Sequence, residues 1–228
     1  MTDLTHPLDR PIWHALSERQ FAYAIGAARA RRFVADAGMF AATRDDTPHA
    51  LADLGELVRT HGPVVLLQAG AIPVPPGTTA QMTMLGVQMV ARRIEPLDPA
   101  PPVERLTAAD VPAMLALTAA TQPGPFFART HELGTFWGVK IDGRLVAMAG
   151  ERLKLPGYTE VSAVCTDPAH RGKGYAGTLS RIVATQILNR GETPILHAYA
   201  SNTPAVRLYE QLGFELRTHV NVTVLAPP

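Results

Sequence analysis

The spacing of apolar residues changes along the chain, and each change marks an element. Phe21, Ala24, Ile25 and Ala28 recur at helical intervals, so residues 17–36 read as a helix with Ser17 as N-cap. Residues 39–43 read as a short strand. Leu51, Leu54 and Val58 share one face of a helix predicted over 47–59. The near-continuous apolar run 64–68 predicts a buried strand, and 81–90 predicts another. Proline punctuates the rest. Pro73-Val-Pro-Pro-Gly77 reads as a loop. Four prolines among residues 96–102 suit neither a helix nor a central strand, so a linker separates 1–98 from 103–228.

The second half has sharper signals. A short strand at 103–106 precedes Thr107-Ala-Ala-Asp110, which resembles a capping box opening a helix with Val111, Met114, Leu115 and Thr118 on one face. Gln122-Pro-Gly-Pro125 ends that helix. Two β-rich runs, 135–141 and 144–152, flank Asp142-Gly143, a pair suited to the positive φ angles of a type I′ hairpin turn. A strand over 158–166 follows, then a helix over 173–190 with Leu179, Ile182, Val183 and Ile187 inward. A strand at 194–200, a helix at 202–212 and a strand at 214–225 complete the reading.

Composition narrows the function classes. Lys and Arg total 21 against 20 Asp and Glu, a net charge of +1, without the basic excess that nucleic acid demands. The densest apolar run falls far short of the ~20 residues of a membrane span. The first residues lack the basic and apolar regions of a signal peptide. A cytoplasmic protein is expected, with no nucleic-acid or membrane partner; a homodimer is left open. Arg outnumbers Lys 18 to 3, which points to a bacterial genome rich in GC. Cys165 is the only cysteine, and no histidine pair has ligand spacing, so no metal site is expected.

The chemistry concentrates after the 158–166 strand. Asp167-Pro168 turns the chain, and Arg171, Gly172, Lys173, Gly174, Tyr175, Ala176 and Gly177 then open an amphipathic helix. Two glycines let backbone approach a ligand closely. The first N–H groups of a helix lack intrahelical acceptors and lie at the positive end of its dipole. With two cations beside them they suit a phosphate or pyrophosphate. The turn is neither a Walker loop nor a complete dinucleotide-binding GxGxxG.

These residues resemble the phosphate-binding signature of the GNAT N-acetyltransferase superfamily, [RQ]-x-x-G-x-[GA], at Arg171, Gly174 and Ala176. A second stretch is similar to the family's C-terminal signature, N-x-x-A-x-x-[LF]-Y-x-x-x-G-F, at Asn202, Ala205, Leu208, Tyr209, Gly213 and Phe214. The resemblance covers about residues 103–220. It implies an α/β fold with a mixed, mainly antiparallel sheet and helices on both faces. It further implies acetyl-CoA as co-substrate and a primary amine as acceptor. Val164, Cys165 and Thr166 would offer backbone groups to the acetyl carbonyl and pantetheine, 172–177 would hold the pyrophosphate, Asn202 would contact the cofactor and Tyr209 would stand near the sulfur. The element order of 1–98 resembles a degenerate GNAT-like half that lost its phosphate loop, as in the glycine N-acyltransferase-like branch. No phosphate signature precedes residue 103, so one cofactor site is expected. This extension is expected to wall the acceptor cleft through the loop at 73–77.

Amide formation from a thioester needs a neutral amine, a polarised carbonyl and a proton for the leaving thiolate. Tyr209 is the candidate acid. Glu160, His197 or a chain of waters are the alternatives for the base. Each residue also has a plainer reading: Tyr209 at core spacing with Ala205 and Leu212, Glu160 as a strand-end charge, His197 as a satisfied core histidine, Asn202 as an N-cap and Cys165 as a small buried side chain. Beside direct acetyl transfer in a ternary complex stands a non-catalytic acyl-CoA-binding or regulatory module.

Overall fold

A computed structural model of the chain describes residues 6–95 and 102–228; the predicted linker thus lies almost wholly outside the described residues. The first half opens with α1 (Pro11–Ser17), started by proline at its first position. Strands β1 (Ala24–Gly26), β2 (Ala30–Phe33) and β3 (Ala41–Thr43) form a small antiparallel sheet. Helix α2 (Pro48–His61), capped by Thr47, leads into β4 (Val64–Gln68) and β5 (Thr79–Val90).

The helix expected over 17–36 is absent, replaced by the end of α1 and a hairpin. Gly26 has φ +117°, and a Cβ there would meet the Ala30 carbonyl oxygen at 2.4 Å, so the chain reverses at this glycine. Arg32 is buried and donates to the carbonyls of His61 (2.7 Å) and Gly62 (3.1 Å) at the end of α2. Arg31 lies over the Trp13 and Phe21 rings. Helix propensities differ by tenths of a kcal/mol per residue, and these tertiary contacts override them.

The second half follows its pattern closely. Strand β6 (Glu104–Arg105) leads through the Thr107–Asp110 capping box to α3 (Val111–Thr121), which ends at Gln122 in the left-handed conformation. The hairpin β7 (Phe136–Ile141) and β8 (Arg144–Leu155) turns on Asp142 and Gly143, both at positive φ. Then come β9 (Tyr158–Thr166), α4 (Tyr175–Asn189), β10 (Thr193–Tyr199), α5 (Thr203–Gln211) and β11 (Glu215–Ala226).

Strands of both halves share one eight-stranded sheet in the order β4-β11-β5-β10-β9-β8-β7-β6. It is an α/β fold with a mixed sheet, antiparallel except between β9 and β10. Segment 1–98 contributes β4 and β5, and β5 runs between β10 and β11. Leu179, Val183 and Ile187 of α4 are buried on one sheet face with Tyr209, Leu212 and Phe214. Each such side chain contributes about 1.5–3 kcal/mol. Ile12, Leu16 and Phe33 pack on the other face against Val65, Leu67, Val220 and Val222.

The parallel pair is short. Only Thr193, Pro194 and Ile195 pair with Tyr158, Thr159 and Glu160. Beyond that point β10 stays paired to β5 through Tyr199, while β9 stays with β8. The strands splay apart, and a cleft opens between them.

Candidate active site

The cleft has a volume of about 950 Å³, the size of a large cofactor site. One wall is β9. Its pairing with β8 shifts between Ser162 and Cys165, and Ala163 lies there at φ +52°. This bulge kinks the strand where its other edge has lost β10, so backbone groups of 161–166 face the opening. An L-residue in the left-handed region costs about 1–2 kcal/mol, which the surrounding sheet holds in place.

The chain then enters α4 through a turn in which Gly172 and Gly174 both have φ +78°. Nothing lies within 4 Å of a Cβ built at either, so both present bare backbone to the cleft. Among the described residues, the N–H groups of 172–177 take no part in the backbone hydrogen bonds. They stand at the positive end of a 15-residue helix beside exposed Arg171 and Lys173. An unfilled row of donors with two cations fits a pyrophosphate. Asn202 caps α5, its Oδ1 accepting from the Ala205 N–H at 3.3 Å, and lines the same cleft.

Tyr209 lines it from α5. The ring is 9% exposed and meets Phe214 edge to face at 6.0 Å. No hydrogen bond holds its hydroxyl among the described residues, and burial pushes its pKa up to about 12. It therefore keeps its proton at neutral pH. Cys165 is also buried, and burial pushes its thiol up to about 11, so it supplies no thiolate.

The remaining polar groups form a chain across the sheet. Glu160 is fully buried. Arg152 grips it with two parallel bonds, Nε to Oε2 at 2.8 Å and Nη2 to Oε1 at 2.7 Å, and the Leu153 N–H adds a third at 3.3 Å. His197 Nδ1 lies 2.7 Å from Oε1. Burial alone would raise the Glu160 pKa. The charge and hydrogen bonds of Arg152, with His197, outweigh it and hold the carboxyl well below its ordinary 4.5.

On its far side, His197 Nε2 meets Gln88 Nε2 at 2.9 Å. The orientation of that amide follows from its other partners. Gln88 Nε2 donates to the Leu8 carbonyl at 2.8 Å, and Gln88 Oε1 accepts from Arg217 Nη1 at 2.8 Å. Arg217 in turn donates to Asp9 at 2.6 Å. The amide therefore donates to Nε2, and the imidazole proton sits on Nδ1, pointing at Glu160. His197 lines the cleft, yet both its nitrogens are engaged. Glu160 stands behind it with both oxygens occupied.

The structure thus gathers Tyr209, His197, Val164, Cys165, Thr166, Asn202 and the 171–177 turn around one cleft, with Glu160 just beneath. Sequence reasoning missed Arg152 and Gln88. Both interrupt apolar strand runs, and a polar residue in a buried strand signals a partner. The bulge at Ala163 left no such signal, because no glycine marks it. Loop 73–77 does not wall the cleft. It packs on α2, where Arg59 Nη1 donates to the Pro76 carbonyl at 3.3 Å and glycine at 55 leaves room for it. The first half reaches the cleft through Phe40, Val65, Leu67 and Met82 instead.

The family described as FR47-like protein matches residues 138–223. A mycothiol acetyltransferase of Thermomonospora curvata is 36% identical over 88 residues, 38% of this chain and 29% of the relative. The match thus spans under a third of that relative's length. A crystal structure described as from the GNAT family, from Novosphingobium aromaticivorans, shares 42% identity over 98% of this chain and 99% of that one, with a TM-score of 0.91. A GCN5-related N-acetyltransferase from Kribbella flavida shares the fold, at 17% identity and a TM-score of 0.67 over 98% of this chain and 96% of that one.

Proposed function

We propose that this chain, which belongs to the GNAT family of acetyltransferases, transfers an acetyl group from acetyl-CoA to a primary amine by direct attack in a ternary complex. The observation that carries this reading is the glycine turn. Gly172 and Gly174 expose a row of N–H groups, unbonded among the described residues, at the start of α4, where the parallel β9–β10 pair splays open.

Residues 172–177 hold the pyrophosphate, with Arg171 and Lys173 adding charge. Backbone of 164–166 at the β9 bulge receives the pantetheine and acetyl carbonyl, and Asn202 borders the same arm. Bound acetyl-CoA supplies the acetyl group as a thioester; the C–N bond forms as the C–S bond breaks, giving an amide and a thiol. Tyr209 gives its hydroxyl proton to the departing sulfur and recovers a proton originating on the amine nitrogen, which balances the reaction. Its hydroxyl has no partner among the described residues and stays protonated at neutral pH, so it has a proton to give. Glu160 acts as a positioning residue. Its carboxylate orients His197 and does not reach the acceptor, because Arg152 and His197 occupy it. With the His197 ring also engaged on both sides, the amine is taken up in its neutral form, its proton having passed to solvent.

Calorimetric titration with acetyl-CoA tests the reading, followed by amine-dependent release of free thiol. Micromolar binding lost in Gly174→Glu, with turnover on an amine panel, supports a transferase. Binding without turnover on any amine reduces the protein to an acyl-CoA-binding module.

A further inference from the structure

The half of the cleft away from α4 has a one-sided chemistry. Phe40, Val65, Leu67, Met82, Val220 and Val222 line it. The β-register explains why they converge. Val222 lies opposite Leu67 on one side of β11, and Val220 lies opposite Gly86 on the other, so alternate residues of three strands face the same way. At Gly86, beside the cleft, a Cβ would meet the Ala198 carbonyl oxygen and a Val220 methyl at 3.1 Å, so a side chain there would crowd this floor.

The charged groups are equally one-sided. Arg152, Arg171 and Lys173 line the cleft, and no Asp or Glu does among the described residues. The nearest carboxylate, Glu160, is fully buried and already paired with Arg152. Arg152 itself lies over the Phe40 ring at 4.5 Å, which brings a cation to the edge of the apolar wall. A second ammonium group on an acceptor would therefore lose water and find no counter-charge. The reacting amine feels the same surroundings, which favour its neutral, nucleophilic form.

We propose that the acceptor is a primary amine carried on an apolar body with no second positive charge. This rests on the transferase reading above. An apolar chain or ring fills the space between Phe40 and the β4–β11 valines and leucine, while the amine points back toward β9 and Tyr209.

An isosteric pair tests it: hexylamine against cadaverine, which replaces the terminal methyl by a second ammonium. With the intact protein and saturating acetyl-CoA, kcat/KM for hexylamine should exceed that for cadaverine by about tenfold or more, the scale on which an apolar pocket discriminates. Met82 is 43% exposed at the cleft rim, so Met82→Glu should fold. It should narrow the ratio by supplying the missing carboxylate. Equal or better use of cadaverine by the wild type would overturn the substrate class and leave the transferase intact. Acetyl-CoA binding with neither amine acetylated would also overturn the substrate class, while leaving the coenzyme site standing. Failure to bind acetyl-CoA would bring down the transferase reading, and this inference with it.

Discussion

Glu160 Oε1 lies 2.7 Å from His197 Nδ1, and the same carboxylate is clamped by Arg152 from the other side. Two residues that the sequence offered as rival bases are thus partners in one buried chain. Glu160 is the last residue of β9 in register with β10, opposite Ile195, and His197 stands two residues beyond, at the point where β9 and β10 part. Whatever orients His197 also fixes the apex of the cleft.

This relationship predicts a large stability cost. Glu160→Gln leaves the half-buried Arg152 guanidinium without its fully buried anion, and breaking such a pair costs up to about 3–5 kcal/mol. The carboxyl is held below its ordinary 4.5, so the stabilisation is complete above that pH and is lost as pH falls toward the folded-state value. Urea unfolding should show a wild-type midpoint that drops below about pH 4.5, where the gap to the variant narrows. A variant of unchanged midpoint at pH 7 would refute the assignment.

The glycine turn predicts a split between folding and binding. Gly174 needs φ +78°, which costs an alanine about 1–2 kcal/mol, yet no neighbouring atom obstructs a Cβ. Gly174→Ala should therefore fold with a modest loss of stability. Gly174→Glu adds an anion where the N–H row expects a pyrophosphate, and its acetyl-CoA affinity should fall by about tenfold or more. Calorimetry alongside thermal unfolding separates the two effects; equal affinity in Gly174→Glu would move the phosphate site elsewhere.

Legibility in the sequence followed locality. Asp142-Gly143, the Thr107–Asp110 box and the paired glycines each specify their conformation within four residues, and each appears in the structure where the pattern put it. The 17–36 segment failed because its outcome depends on residues far away, through Arg32 on the end of α2 and the pairing of β2 with β3. The same holds at the site. The candidate residues were readable as types, but the clamp of Arg152 on Glu160 and the lock of Gln88 on His197 span two pairs of strands. The insertion of β5 between β10 and β11 joins residues 109 apart in the chain. No short-range spacing encodes it.

Tyr209→Phe should separate chemistry from structure. The hydroxyl has no partner among the described residues, so the ring packs equally well without it, and stability should change by less than about 0.5 kcal/mol. Acetyl-CoA affinity should hold. Turnover should fall by about 10²–10⁴-fold, the usual contribution of a positioned acid. Full activity in the variant would pass the thiolate's proton to another donor.

The pH profile tests who removes the proton from the amine. Glu160 is an occupied, strongly ionised carboxylate, and the His197 ring donates at Nδ1 and accepts at Nε2. If neither takes the proton, the neutral fraction of the acceptor alone sets the rise of kcat/KM. The profile should then climb about tenfold per pH unit and level off at the acceptor's own pKa, shifting when amines of different basicity are compared. Tyr209, raised to about 12 by burial, stays protonated and imposes no fall below about pH 10. A base on the protein would behave differently. It would place a limb at a fixed pH for every acceptor. Such a fixed limb, abolished in a His197 variant that still binds acetyl-CoA, would restore His197 as the base and require Gln88 to move during turnover.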